Sequence, residues 1–369
     1  MQASEVQRVL RADEGLVEYL IAGDRVFVFV LRKNAVRHVE IPIGDSVLAV
    51  RVRLTRELLS RSVQSNEAVA DALAGLHRTL VEPVEKTGIL NGAKRVVVVP
   101  HSSLSYLPFA ALRDSNGRYL AERYAITVVP SAGALSYLRE TRADSLNAGS
   151  GKGMVFAPFT RDLPATRAEA RSVQASLGGA RTLYDAAATE RVFRESSGTN
   201  GVIHLATHGT LNTQNPLFSR IELARSGRTE IRESSNDGRL SVHEIIAMRT
   251  ASPLVFLSGC ETALGTAWST DFAKGEDYAT LSQALLYSGA GGVIATLWRI
   301  NDASAAVFAR HFYRSLRTLP PEEALAAAQQ NMLIDARYRA PYFWAAYQLA
   351  GSGKPIAIKS RWWDRFTRL

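Results

Sequence analysis

The sequence predicts an α/β fold, a mostly parallel sheet sandwiched between helices, and three observations point to it. Arg95-Val-Val-Val-Val99 is a β-branched run without polar alternation, as expected of a strand buried on both faces. From Met154 onward, short apolar runs alternate with amphipathic stretches of helical period, which implies right-handed crossovers between parallel strands. Pro253–Leu257 repeats the short, wholly apolar pattern. A chain of 369 residues can bury well over half of the surface it exposes when unfolded, enough for two lobes without disulfide staples.

In the first lobe, residues 1–145, apolar stretches at Val26–Leu31, Val36–Ile41 and Val47–Val52 read as strands. Helical patterns follow at Thr55–Val63 and Glu67–Val81, then the strand Arg95–Val99 and another at Ala125–Val129, with Ser131 capping the next helix. His101 lies just past the valine run without a paired nucleophile and reads as a structural loop histidine. The stretch Arg142–Gly153, rich in Gly, Ser, Ala and Asn, reads as a linker. Within it, Gly149-Ser-Gly-Lys-Gly153 fails as a phosphate loop, because Gly153 stands where Ser or Thr should follow the lysine and Leu146 replaces the first glycine.

The second lobe, residues 146–369, reads as strand Met154–Ala157, helix Ala165–Leu177, strand Arg181–Tyr184, helix Thr189–Glu195 and strand Gly201–Ala206. An irregular insert precedes strand Pro253–Leu257, helix Tyr278–Tyr287, strand Gly292–Thr296, helices Ala303–Leu316 and Pro321–Ala336, and a last strand near Tyr347–Ala350. In such sheets the ligand site lies outside the carboxyl ends of the strands.

Composition excludes several classes. A hydrophobic share of 46% with 21% charged residues excludes disorder, and the apolar run Val26–Leu31 is too short to span a bilayer. No charged start leads into an apolar stretch and cleavage site, so no secretory leader is expected. Cys260 is the sole cysteine, which excludes an intrachain disulfide and suits a reducing cytoplasm. The net charge of +9 comes from scattered Arg and Lys rather than a cluster, so it reads as a solvated surface and not a nucleic-acid footprint.

Two strand ends carry the chemistry. One strand ends in Ala206-Thr-His-Gly209 and the next in Leu257-Ser-Gly-Cys-Glu-Thr262, so His208 and Cys260 leave the sheet at the same edge. If these strands are neighbours, the two side chains converge across about 5 Å. An imidazole beside a thiol generates thiolate near neutral pH, whereas serine usually needs a third, orienting group. Gly209 permits a sharp turn, and its N–H with that of Cys260 supplies two donors for an oxyanion. His204 is expected to pack inside, and His243 begins a helix with no evident partner.

At these residues the sequence resembles the CHAT family, caspase-like cysteine peptidases related to separase and found widely in bacteria. The resemblance rests on Ile203-His-Leu-Ala-Thr-His-Gly209, Leu257-Ser-Gly-Cys-Glu-Thr-Ala263, Gly275-Glu-Asp, Leu285-Leu-Tyr-Ser-Gly-Ala-Gly-Gly-Val-Ile294, Thr296-Leu-Trp298 and Val99-Pro-His-Ser-Ser-Leu-Ser-Tyr-Leu-Pro-Phe109. It implies a caspase/hemoglobinase-type fold with His208 as general base and Cys260 as nucleophile, and a degenerate, non-catalytic first lobe. The implied activity is limited proteolysis of a partner protein in bacterial defence or programmed cell death, without metal or organic cofactor. Family members often carry tetratricopeptide repeats ahead of this region, but no 34-residue repeat is visible. An activating partner would therefore dock through the first lobe or through an upstream region absent from this sequence. The competing reading is an inactive scaffold that kept the fold.

Substrate selection stays open. Asp271, Glu276 and Asp277 could line an acidic pocket for Arg or Lys, although Glu276 and Asp277 suit better as caps of the helix at Tyr278. Trp268, Phe272 and Trp298 could shape an apolar pocket for Leu or Met, or pack in the core. The polar loop Thr210–Ser241 could be an activation segment. In the tail, Trp362, Trp363 and Phe366 share a helical face interleaved with arginines, which suits packing onto the second lobe better than membrane contact.

Overall fold

The computed structural model describes residues 2–61, 67–140, 153–198, 201–212, 214–225, 236–259, 280–353 and 355–356. Its strands are β1 (Glu14–Ala22), β2 (Arg25–Arg32), β3 (Ala35–Ile41), β4 (Arg95–Val99), β5 (Ala125–Val128), β6 (Met154–Ala157), β7 (Arg181–Tyr184), β8 (Ile203–Ala206), β9 (Gly209–Thr210), β10 (Arg220–Glu222), β11 (Arg239–Ser241), β12 (Val255–Ser258), β13 (Gly292–Thr296) and β14 (Tyr347–Gly351). Its helices are α1 (Ala3–Val9), α2 (Asp45–Arg61), α3 (Glu67–Leu80), α4 (Glu82–Glu85), α5 (Ala132–Glu140), α6 (Thr166–Ser176), α7 (Glu190–Ser197), α8 (Val242–Ala247), α9 (Leu281–Ser288), α10 (Asp302–Leu316) and α11 (Pro321–Ile334).

Eleven strands form one sheet in the order β3-β2-β1-β4-β5-β14-β13-β12-β8-β6-β7, and β9, β10 and β11 form a second. Parallel pairing runs through β1-β4-β5 and through β13-β12-β8-β6-β7, as the apolar runs predict. The strands of residues 1–145 meet those of the later residues where Val128 of β5 pairs with Ala350 of β14. Alternate side chains of the central strands enter opposite cores: Phe256 packs on one face, Val255 and Leu257 on the other. A strand buried twice over has no room for polar alternation, which is why these runs are wholly apolar.

Several expectations change. Val47–Val52 is not a strand but the first half of α2. Leu48, Ala49, Val52, Thr55, Arg56 and Leu59 are its buried residues, a 3–4 spacing that continues into the helix expected at Thr55. The β-branched valines imitate a strand, and the packed face overrides their propensity. β1 escaped notice because Glu14 and Glu18 interrupt its apolar run. Glu14 is buried and balanced by Arg139 of α5 through two bonds of 2.6 and 2.8 Å. The expected insert is partly regular, since β9, β10 and β11 pair antiparallel ahead of α8. Helix α9 starts at Leu281 rather than Tyr278, capped by Thr280, whose Oγ1 accepts the Gln283 N–H at 3.1 Å.

Ser131 does cap α5, accepting the Ala134 N–H at 3.1 Å. His101 is structural: its Nδ1 accepts the Ile21 N–H at 3.2 Å. The linker expected at Arg142–Gly153 lies outside the described residues except for Gly153, as does the tail from residue 357. Where the early and late residues meet, Arg11 pairs with Glu322 of α11, Arg95 pairs with Asp13 and Glu323, and Arg139 also donates to the Ser352 carbonyl. Among the described residues no helix is long and apolar enough to cross a membrane.

Candidate active site

β8 is buried at all four positions, and the chain emerges from it at Thr207-His208. Thr207 fastens this exit twice, its N–H to the Ser258 carbonyl at 3.1 Å and its hydroxyl to the Glu222 carbonyl at 2.5 Å. His208 is half-buried. Its carbonyl accepts the Glu222 N–H at 2.9 Å, and its ring sits 5.4 Å from that of Phe159, tilted by 35°. Gly209 pairs with Ile221, and because the bond to β10 falls at His208, the Gly209 N–H faces away from β10.

β12 runs parallel to β8 with Ala206 opposite Ser258, so both strands end on one edge. Past that end, the Gly259 carbonyl accepts the hydroxyl of Thr296, the last residue of β13, at 2.5 Å. Glu169, Thr207, His208, Ser258, Gly259 and Asp302 are among the residues lining a cavity of about 300 Å³ there. This is the carboxyl edge at which α/β sheets hold their ligands.

Two carboxylates face the cavity. Asp302, at the start of α10, accepts the Ala165 N–H at 2.7 Å. Burial pushes its carboxyl above the usual range, Glu169 adds to that, and His208 and the Ala165 bond oppose it. Glu169 is 1% exposed, with its Oε1 3.1 Å from Nε2 of His204, which is fully buried. The other nitrogen of His204 is 3.1 Å from the Tyr313 hydroxyl. Burial, then the Glu169 charge, pushes the Tyr313 phenol well above its ordinary value.

Of the residues singled out in the sequence, His208 lines the cavity, and Gly209 follows it as the first residue of β9. Trp298 does not join them: it is 1% exposed, packs in the core and donates its indole N–H to the Tyr342 carbonyl at 3.0 Å. His204 packs inside as expected. His243 has partners after all, the Ser241 hydroxyl at 2.9 Å and the Leu217 carbonyl at 3.2 Å. Cys260, Asp271, Glu276, Asp277, Trp268 and Phe272 lie outside the described residues.

Sequence reasoning passed over Glu169, Thr296 and Asp302. One signal for Glu169 was legible, since it shares the apolar face of α6 with Thr166, Ala170 and Val173. A carboxylate on a buried helical stripe needs a partner.

A family model described as the CHAT domain matches residues 70–352. Tetratricopeptide repeat protein 28 of Mus musculus is 23% identical over 78% of this chain, and its Homo sapiens counterpart is 23% identical over 76%. The chain spans only 14% and 13% of those two proteins. Among solved structures, Saccharomyces cerevisiae separase in complex with securin superposes with a TM-score of 0.59 at 13% identity, covering 94% of this chain and 30% of that one. The Arg-specific cysteine proteinase gingipain R superposes with a TM-score of 0.50 at 10% identity, covering 85% of this chain and 76% of that one. At such identities the likeness establishes the shared, caspase-like fold.

Proposed function

The chain belongs to the CHAT domain family, and from that premise we propose that it is a cysteine endopeptidase acting through His208 and Cys260. One observation carries the reading. The parallel register of β8 and β12 sets Ala206 opposite Ser258, an offset of 52, and 52 residues also separate His208 from Cys260. Adjacent strands lie about 4.8 Å apart, so a chain leaving β12 in that register brings the thiol within reach of the imidazole.

In this reading His208 takes the thiol proton and the Cys260 thiolate attacks the scissile carbonyl. Backbone N–H groups of Gly209 and Cys260 receive the oxyanion, a role consistent with a Gly209 N–H turned away from β10. His208 then protonates the leaving amine, and water, deprotonated by the same imidazole, hydrolyses the thioester. The substrate is a partner protein cut at few sites, and a reducing cytoplasm keeps the sole cysteine competent. Residues 1–145 serve as a non-catalytic lobe to which an activating partner or an upstream repeat region docks. Repeat-bearing relatives that extend far beyond the matched span support this arrangement.

The test is labelling of the folded protein with peptidyl fluoromethyl ketones carrying Arg, Lys, Leu or Asp beside the warhead, read by intact mass, with His208→Ala as control. A single adduct on Cys260 that is lost in the control is expected. A Cys260 inert to every warhead and to iodoacetamide in the native fold would leave an interaction scaffold instead.

A further inference from the structure

We infer that Arg56 of α2 is a positioning residue for the nucleophile, acting through Leu297, Thr296 and Gly259. Arg56 precedes the span that matches the family model, and its side chain is buried, 3% exposed. Its guanidinium donates to the Leu297 carbonyl at 2.5 Å. Leu297 is fully buried and directly follows β13. A carbonyl at that depth requires a donor, and a charged donor makes the stronger bond.

The same turn is braced by two further bonds. The Leu297 N–H donates to the Ala346 carbonyl at 2.9 Å, and the Trp298 indole to the Tyr342 carbonyl at 3.0 Å. Tyr342 lies in the short turn Pro341–Phe343, against which α2 packs. One residue earlier, Thr296 donates to the carbonyl of Gly259, the residue before Cys260. Two side-chain hydrogen bonds and two peptide links therefore separate an arginine of the first lobe from the proposed nucleophile.

Burying a guanidinium in the apolar stripe of α2 carries a large desolvation cost, which an apolar residue there would avoid. What the arginine adds is reach: its side chain crosses from α2 to the carbonyl of Leu297, the residue after Thr296 of the cavity lining. Displacing Leu297 shifts Thr296, and with it the carbonyl that begins the Cys260 segment. Misplacement of this kind is costly to catalysis even when it originates far from the reacting atoms.

The inference rests on the reading of Cys260 as nucleophile, and the experiment separates the two. Because Cys260 is the only cysteine, the rate of iodoacetamide addition to the full chain, followed by intact mass across pH 5–9, reports that thiol alone. Arg56→Ala is expected to slow alkylation at pH 7 by about 10-fold, mid-range for couplings of this kind, and Arg56→Lys to recover most of it. Leu59→Ala, a core truncation on the same helix, is expected to lower the melting temperature yet alkylate at the wild-type rate. If Arg56→Ala does not fold, Thr296→Val, which removes the hydroxyl that bonds Gly259, is expected to show the same slowing. Wild-type rates in Arg56→Ala and Thr296→Val, beside slow alkylation of His208→Ala, would overturn the link and spare the dyad. A wild-type thiol no faster than His208→Ala would instead remove the dyad, and the link with it.

Discussion

His204 and Glu169 lie side by side in the interior, Nε2 to Oε1 at 3.1 Å, one on β8 and the other on α6. Their contact pins α6 against the strand that delivers His208, while Glu169 also lines the cavity. Glu169→Ala removes the carboxylate packed against a fully buried imidazole and leaves a cavity, so a loss of about 3 kcal/mol is expected. Urea denaturation checks it. The triple variant Glu169→Leu/His204→Phe/Tyr313→Phe should recover much of that loss, because the carboxylate, the imidazole and the phenol bonded to it are all removed.

Asp302 gives the site a pH signature. Its carboxyl titrates above the usual range in the folded protein, chiefly because of burial. The native state therefore holds this proton more tightly than the unfolded chain does. The contribution is fully present below the unfolded carboxylate value, near 3.9, and is lost as pH rises through the folded value. Asp302→Asn can keep an acceptor for the Ala165 N–H and removes the titration. The melting temperature of the variant relative to wild type should therefore rise as pH is raised from 4 through the folded-state titration and level off above it. A difference independent of pH would refute this assignment.

Arg139 of α5 ties β1 to the chain that follows β14. It bonds both oxygens of Glu14, which is 2% exposed, and the carbonyls of Val9 and Ser352. Arg139→Met should cost about 3–5 kcal/mol by stranding a buried carboxylate. Arg139→Met/Glu14→Leu should regain most of it, as equilibrium unfolding would show.

Gly289 closes α9 at φ +134°, and a Cβ there would lie 2.0 Å from the Thr250 carbonyl oxygen. The contact is with backbone, so no side-chain rotation relieves it. Gly289→Ala should cost about 3 kcal/mol or more, visible as a lowered urea midpoint or a loss of soluble protein. Thr280→Ala, at the other end of the same helix, should cost only about 1 kcal/mol.

The parallel strands were legible because burial on both faces writes itself as an apolar run, as in Arg95–Val99 and Pro253–Leu257. β1 and α2 were not, since each carries its meaning in a partner remote in sequence. Glu14 makes sense in a strand only beside Arg139, and the valines of α2 fit a helix only because the face carrying Leu48, Val52 and Leu59 packs on the core. The site divides the same way. The place of His208 at a strand end was legible because a His-Gly there is a local pattern, and the residue lines the cavity. Glu169 and Asp302 reach the cavity from α6 and α10, and their meaning depends on how those helices pack.

The sequence by itself determined the fold class and the family, because periodicity and short motifs are local properties of the chain. Only the tertiary structure decided the register that sets Ala206 opposite Ser258, the burial of Trp298 and the reach of Arg56 to Leu297. Each of these joins residues far apart in sequence, and such contacts are selected by the packing of the whole core rather than by any segment's own preference.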